Sequence, residues 1–127
     1  MGTRSLTFIY DDSNTPVLNM YRQYDGYPSC HGLELAEFIS KKTIINGISN
    51  QKMDTHANGM TCLAAQIVCN FKDDIGGIYL ESPSSTDFGQ DYSYHVYQDK
   101  VVVKKYNNEE IFSGSWKEFL AFCNSAE

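Results

Sequence analysis

Residues 3–24, TRSLTFIY-DDSNTP-VLNMYRQY, are the stretch of the sequence that decides the fold. In residues 3–10 and again in residues 17–24 the side chains alternate with a period of two, which is typical of a β-strand. Residues 11–16 between them are Asp, Ser, Asn, Thr and Pro, which favour turns. The stretch therefore predicts a β-hairpin of two antiparallel strands.

The rest of the sequence contains both helical and strand-like patterns. Ser115, followed three residues later by Glu118, is the capping-box pattern of a helix start. Helices are predicted at residues 33–42, at 63–71 and from 115 onward. Short strand-like runs lie at residues 78–80, 92–97, 101–106 and 110–112. Residues 44–58 show little periodicity and predict a long connection.

The spacing of these elements indicates the fold class. Three of the links between strands are too short for a parallel crossover, which favours antiparallel pairing. We expect a single α+β domain over residues 1–127, with a mainly antiparallel β-sheet of about five or six strands and three helices.

Composition excludes several classes of protein. The net charge of −6 argues against general nucleic-acid binding, which needs a basic face. No apolar run approaches the roughly 20 residues of a membrane span, and no signal-peptide pattern is present, so we expect no membrane association and a cytoplasmic location (the host cytoplasm if the protein is viral). The four cysteines and three histidines lack the paired spacing of a zinc site. We therefore expect no metal and no cofactor.

The densest group of unusual residues is residues 21–32, YRQYDGYPSCHG. This segment joins a strand end and an Asp-Gly turn to a helix start, whose free N–H groups can hold an anion. Arginine would add a charge-assisted contact, and tyrosine rings could stack on a planar ligand. A second wall is expected from residues 82–95. The candidate ligand-binding residues are Arg4, Tyr21, Arg22, Gln23, Asp25, Tyr27, His31, Tyr92 and Tyr94. A structural interpretation stays open, in which Asp25 and Gly26 only form the turn and the tyrosines pack the core.

Acidic pairs fall on two of the predicted helices. Glu34 and Glu37 are three residues apart, as on the solvated face of an ordinary amphipathic helix. Asp73 and Asp74 end the second helix, where their charge opposes the negative end of the helix dipole. This second pair is a weak indication that those carboxylates serve a function.

Two segments together resemble a family of small bacterial and phage proteins. Those proteins open with Met-(Gly/Ser)-Thr-Arg-(Ser/Asn)-Leu-Thr and carry a Gln-x-Asp-Gly-Tyr-Pro-x-Gly-x-Gly motif. The corresponding segments here are Gly2–Thr7 and Gln23–Gly32. Cys30 stands where the motif has its first Gly of the Gly-x-Gly pair, so this position does not require a left-handed backbone. The resemblance implies no particular activity.

These residues favour a non-enzymatic binder of a small anionic, ring-containing ligand such as a nucleotide derivative. No P-loop, nucleophile-elbow or metalloprotease pattern is present, so an enzyme is not expected. Small phage proteins that sequester nucleotide immune signals offer an analogy for this role.

Two alternatives stay open. The first is a small hydrolase or transferase that uses Cys30 with His31, or Asp25. The second is a protein-interaction module that docks on a host protein through an acidic, tyrosine-rich surface. A homo-oligomer is compatible with every one of these functions.

Overall fold

The predicted hairpin lies inside a six-stranded β-sheet. A computed structural model of the protein describes residues 2–47 and 52–126. The strands are β1 Ser5–Tyr10, β2 Pro16–Arg22, β3 Thr43–Ile45, β4 His56–Asn58, β5 Ile78–Glu81, β6 Tyr92–Val96, β7 Val101–Lys105 and β8 Glu110–Gly114. The helices are α1 Leu33–Ser40, α2 Gly59–Phe71 and α3 Trp116–Ser125, and a single π-helical turn, Pro28–Gly32, precedes α1.

The main sheet has the strand order β5-β2-β1-β6-β7-β8. Every neighbouring pair is antiparallel except β1 and β6, which run parallel at the centre of the sheet. This parallel pair is possible because a long connection that contains α1 and α2 separates the two strands. The predicted fold class, a single α+β domain with a mainly antiparallel sheet and three helices, is confirmed. In the described residues no helix is both long enough and apolar enough to cross a membrane.

The prediction of a long connection at residues 44–58 is wrong at both ends, whereas residues 46–47 and 52–55 between them form no helix or strand. Strands β3 and β4 fall in this region and pair with each other in parallel to form a second, two-stranded sheet. Three residues are too few for an alternating pattern to be recognised in the sequence, which is why they were not predicted. Residues 48–51 of the predicted connection lie outside the described residues.

Strand β1 is buried on both of its faces. Residues 5–9 are all buried, because the helices cover one side of the sheet and polar loops and aromatic rings cover the other. On the side away from the helices, the ring of Phe8 stacks on His95 at a centroid distance of 5.0 Å. Nearby, Asn19 Nδ2 donates to the carbonyl oxygens of Ser82 and Ser85, which holds the 82–85 loop over the same side. The predicted alternation identified a strand but not this double burial.

The Asp-Gly turn after β2 is pressed against the first strand. The backbone N–H of Gly26 donates to the Thr3 carbonyl at 2.8 Å, and the Tyr94 hydroxyl donates to the Gly26 carbonyl at 2.7 Å. A Cβ on Gly26 would lie only 2.7 Å from the Cβ of Ser5. Asp25 adopts a left-handed backbone with φ 61°, which Asp tolerates better than most residues. The turn therefore fixes where the chain leaves the sheet and begins α1.

Substituting Gly26→Ala is expected to lower the free energy of unfolding by about 1–3 kcal/mol, because the added methyl group overpacks against β1. Urea denaturation at neutral pH measures this change. The matched control is Ser29→Ala in the same segment, which is expected to change stability by less than about 0.5 kcal/mol. An unchanged urea midpoint for Gly26→Ala would show that the turn is not fixed against the strand.

Candidate functional site

The nine predicted site residues are divided between the two faces of the main sheet. Arg22, His31, Tyr92 and Tyr94 lie on the face that the helices cover, whereas Arg4, Tyr21 and Gln23 lie on the other face. Asp25 and Tyr27 belong to the turn between β2 and the π turn. The division follows from the strand itself, because neighbouring side chains on a strand point to opposite sides. Chain neighbours that looked like one site are therefore separated by the thickness of the sheet.

The group on the face away from the helices packs with the 82–91 loop. The Tyr21 hydroxyl donates to Gln23 Oε1 at 2.7 Å, and the Tyr21 ring meets Phe88 of the loop edge-on. A Cβ on Gly89 would meet Arg4 Nη1 at 3.2 Å, so the Arg4 side chain also lies against this loop. These residues line none of the three cavities, of about 530, 330 and 420 Å³, that are found in the described part of the chain.

Arg22 is the centre of the group on the helix-covered face. Its Nη1 donates to Glu34 Oε1 at 2.8 Å and to His31 Nδ1 at 3.0 Å, and its Nε donates to the Tyr24 carbonyl at 2.7 Å. The contact with Glu34 is the only salt bridge among the described residues. Glu34 was expected on the solvated face of its helix; its side chain is 49% exposed there and is paired with Arg22.

These contacts fix the protonation state of His31. An arginine only donates hydrogen bonds, so His31 Nδ1 accepts and the ring carries its proton on Nε2, which donates to Thr7 Oγ1 at 2.8 Å. Complete burial, and after it the positive charge of Arg22, lower the pKa of His31 to about 3. The ring is therefore neutral and holds the guanidinium in place, and it has no free nitrogen for a ligand. Tyr94, also predicted as a ligand contact, is fully buried as well, and its hydroxyl is used by Gly26.

A cleft of about 530 Å³ opens beside Arg22. It is lined by Arg22, Tyr24, Glu34, Asn70, Phe71 and residues 73–78. The Arg22 side chain is 17% exposed at this wall, and the neighbouring Tyr24 is 58% exposed.

The opposite wall of the cleft is the loop that follows α2. Gly76 and Gly77 both have φ 77°, a left-handed backbone that glycine adopts without strain. Lys72 Nζ donates to the carbonyls of Gly76 and Ile78 at 3.0 Å and ties the loop to β5. Asp73 and Asp74 belong to this wall, so the pair that opposes the helix dipole does line a cavity. The cleft therefore combines one cationic side chain with three carboxylates, counting Glu34.

Cys30 lacks the features of an activated nucleophile. Partial burial, and after it the negative charge of Glu34, raise the pKa of the Cys30 thiol, whereas catalysis needs it lowered. Both ring nitrogens of the adjacent His31 are occupied by Thr7 and Arg22. Within the described ranges, no group of three or more His, Cys, Asp or Glu side chains could hold a metal ion.

The neutral state of His31 makes stability depend on pH. Below pH 6.5 the unfolded chain binds a proton at this imidazole, whereas the folded protein does so only near the lowered pKa of about 3. The free energy of unfolding is therefore expected to fall as the pH drops through this window, by up to about 1.4 kcal/mol per pH unit from this residue. NMR of the ring protons should show no His31 titration between pH 8 and about pH 5 in the folded protein. A His31 midpoint near pH 6.5 would contradict the assigned contacts.

Alkylation tests the state of the Cys30 thiol. With iodoacetamide at neutral pH, Cys30 is expected to react more slowly than the exposed Cys69, because a raised pKa leaves less thiolate. Peptide mapping by mass spectrometry follows both residues in one sample. Preferential labelling of Cys30 would instead support the hydrolase or transferase alternative.

The comparisons with known proteins add nothing to the interpretation of this cleft. No protein-family model, no curated protein and no solved structure matches the chain. The resemblance of Gly2–Thr7 and Gln23–Gly32 to a bacterial and phage family gains no support from these comparisons. The function of the cleft has to follow from the chemistry of its own residues.

Proposed function

We propose that the cleft beside Arg22 binds a small, ring-containing anion of the nucleotide-derivative class, and that the protein is a binder rather than an enzyme. The observation that carries this proposal is a prearranged guanidinium at the wall of a 530 Å³ cleft, next to an exposed tyrosine ring. Cavities of roughly 300–1,000 Å³ are the usual size for small-molecule sites.

The hydrogen bonds of Arg22 prepare it to receive an anion. Contacts with His31, Glu34 and the Tyr24 carbonyl use Nε and Nη1, and they leave the donors of Nη2 for a ligand. A side chain that is already held loses little further conformational freedom on binding. Glu34 is 49% exposed and can move aside when a ligand anion takes its place on the guanidinium.

The ring of the ligand has a partner on the same wall. Tyr24 is 58% exposed, although a tyrosine gains free energy by covering its ring, and Phe71 adds apolar surface to the cleft lining. Stacking on Tyr24 would place a planar base within reach of the Arg22 donors. Tyr24 belongs to the tyrosine-rich segment predicted from the sequence, although it was not among the nine chosen residues.

The carboxylates narrow the class of ligand. Asp73, Asp74 and Glu34 repel a molecule with several negative charges, and they accept hydrogen bonds from amino and hydroxyl groups. A ligand with one anionic group and several donors, such as a nucleoside monophosphate or a cyclic mononucleotide, fits better than a triphosphate or a nucleic acid. The net charge of −6 disfavours polyanions in the same way.

Binding without turnover is the outcome that the cleft residues favour. Its lining contains no cysteine, and the buried histidine behind it is neutral with both nitrogens bonded. A protein with such a site would sequester its ligand, as small phage proteins do with nucleotide immune signals.

Thermal-shift and calorimetric titrations with mono-, cyclic and triphosphate nucleotides and ADP-ribose test the proposal. We expect a rise in Tm with the monophosphate and cyclic compounds and little with triphosphates, which carry more negative charge toward the carboxylates of the cleft. Arg22→Gln should weaken binding about 10- to 100-fold, since it removes a charge-assisted hydrogen bond. Tyr24→Ala should weaken it too, and it tests the site without touching the buried contacts.

Arg4→Gln is the matched control, because it makes the same change on the opposite face of the sheet. It should leave nucleotide affinity unchanged. The proposal fails if no compound raises the Tm, or if Arg4→Gln and Arg22→Gln weaken binding equally.

A further inference from the structure

Strand β5 is an edge of the main sheet and has a strand partner on one side only. It pairs with β2, and Tyr21 lies opposite Tyr79 in the register. Two of its side chains are large and exposed, Tyr79 at 49% and Leu80 at 61%. A free edge with exposed apolar side chains is a surface on which another strand can pair.

The pattern of hydrogen bonds leaves one residue of this edge open. The N–H of Gln23 donates to the Gly77 carbonyl. Because hydrogen-bonded pairs alternate along an antiparallel ladder, the backbone N–H and carbonyl groups of residues 77, 79 and 81 point toward β2. Those of Ile78 and Leu80 point away from it. At Ile78 both outward groups are occupied, the N–H by the Gly76 carbonyl and the carbonyl by Lys72 Nζ. The N–H and carbonyl of Leu80 point away from β2, and no loop or side chain in the described part of the chain hydrogen-bonds to them. The edge therefore offers one residue for pairing, which fixes the register.

An apolar groove runs beside this residue. Its volume is about 420 Å³, and it is lined by Val17, Leu18, Thr61, Ala64, Ala65, Val68 and Leu80. The groove lies between α2 and the β2–β5 edge, on the helix-covered face to which the Leu80 side chain points.

We propose that the protein forms a two-fold symmetric homodimer in which β5 pairs antiparallel with β5 of a second copy, centred on Leu80. A two-fold axis at Leu80 lets each copy donate its N–H to the other's carbonyl, so both open edge groups are satisfied at once. Opposite residues on paired strands project to the same face, so the two leucines meet and join the two apolar grooves.

Charge complementarity selects a second copy as the occupant. In this register Tyr79 lies opposite Glu81 of the second copy. Lys72 Nζ lies 5.5 Å from the centre of the Tyr79 ring, which brings it within reach of that carboxylate. Neither Lys72 nor Glu81 has a salt-bridge partner among the residues described. The symmetry forms the Lys72–Glu81 contact twice.

Sedimentation equilibrium over a wide concentration range tests this dimer, and it needs no ligand, so its outcome is independent of the proposed function. The mass should rise from 14.4 kDa toward twice that value as concentration increases. Leu80→Lys places two positive charges opposite each other at the axis, so it should raise the dissociation constant of the dimer about tenfold or more. Ile75→Lys is the matched control, because Ile75 is 95% exposed but lies before the paired strand, and it should leave the constant unchanged.

A charge reversal tests the register. Glu81→Lys should weaken the dimer, because it places a second positive charge opposite Lys72 of the other copy, while Lys72 itself is kept because it holds the Gly76 and Ile78 carbonyls. A mass that stays at 14.4 kDa at millimolar concentration overturns the proposal. So does a dimer that Leu80→Lys weakens no more than Ile75→Lys does, because that dimer would use another surface.

Discussion

The neutral imidazole of His31, buried between Thr7 and Arg22, is the interaction on which the candidate cleft depends. It connects the central strand to a guanidinium at the protein surface through two hydrogen bonds. Arg22 also carries Glu34 and the Tyr24 carbonyl, so the position of the cleft wall depends on a ring that has no contact with solvent. A protonated imidazole could not accept from Arg22 and would face its positive charge. Burial of this histidine therefore serves the geometry of the cleft rather than acid–base chemistry.

The fold could be predicted where the sequence pattern is long. The hairpin of β1 and β2 and helix α2 extend over enough residues for their periods to be recognised, and the capping box of α3 is complete, with Ser115 and Glu118 bonded to each other's backbone. Strands β3 and β4 were missed because each has only three residues. The parallel pairing of β1 with β6 joins segments more than 80 residues apart, which no local pattern encodes.

The candidate site could be predicted only in part, for a related reason. Arg22 was identified from its charge and its neighbours, but the strand period directs Tyr21 and Gln23 to the opposite face. The 73–77 loop reaches Arg22 through the packing of α2, and its only sequence signal was a pair of aspartates at the negative end of a helix dipole. Aspartates at the negative end of a helix are locally unfavourable, and they indicate a functional site most clearly where, as here, they also line a cavity.

Lys72 connects the two surfaces that the structure leaves open. Its ammonium group holds the Gly76 carbonyl in the cleft wall and the Ile78 carbonyl on the free edge, at 3.0 Å each. A lysine commonly protects an edge strand from pairing with another strand. Here Lys72 covers the outward carbonyl of Ile78 and does not cover Leu80. The cation that shapes the acidic wall of the cleft therefore also limits how far a neighbouring strand can extend along β5. Because one ammonium group holds both carbonyls, exchanging Lys72 for a neutral residue would loosen the cleft wall and the free edge together.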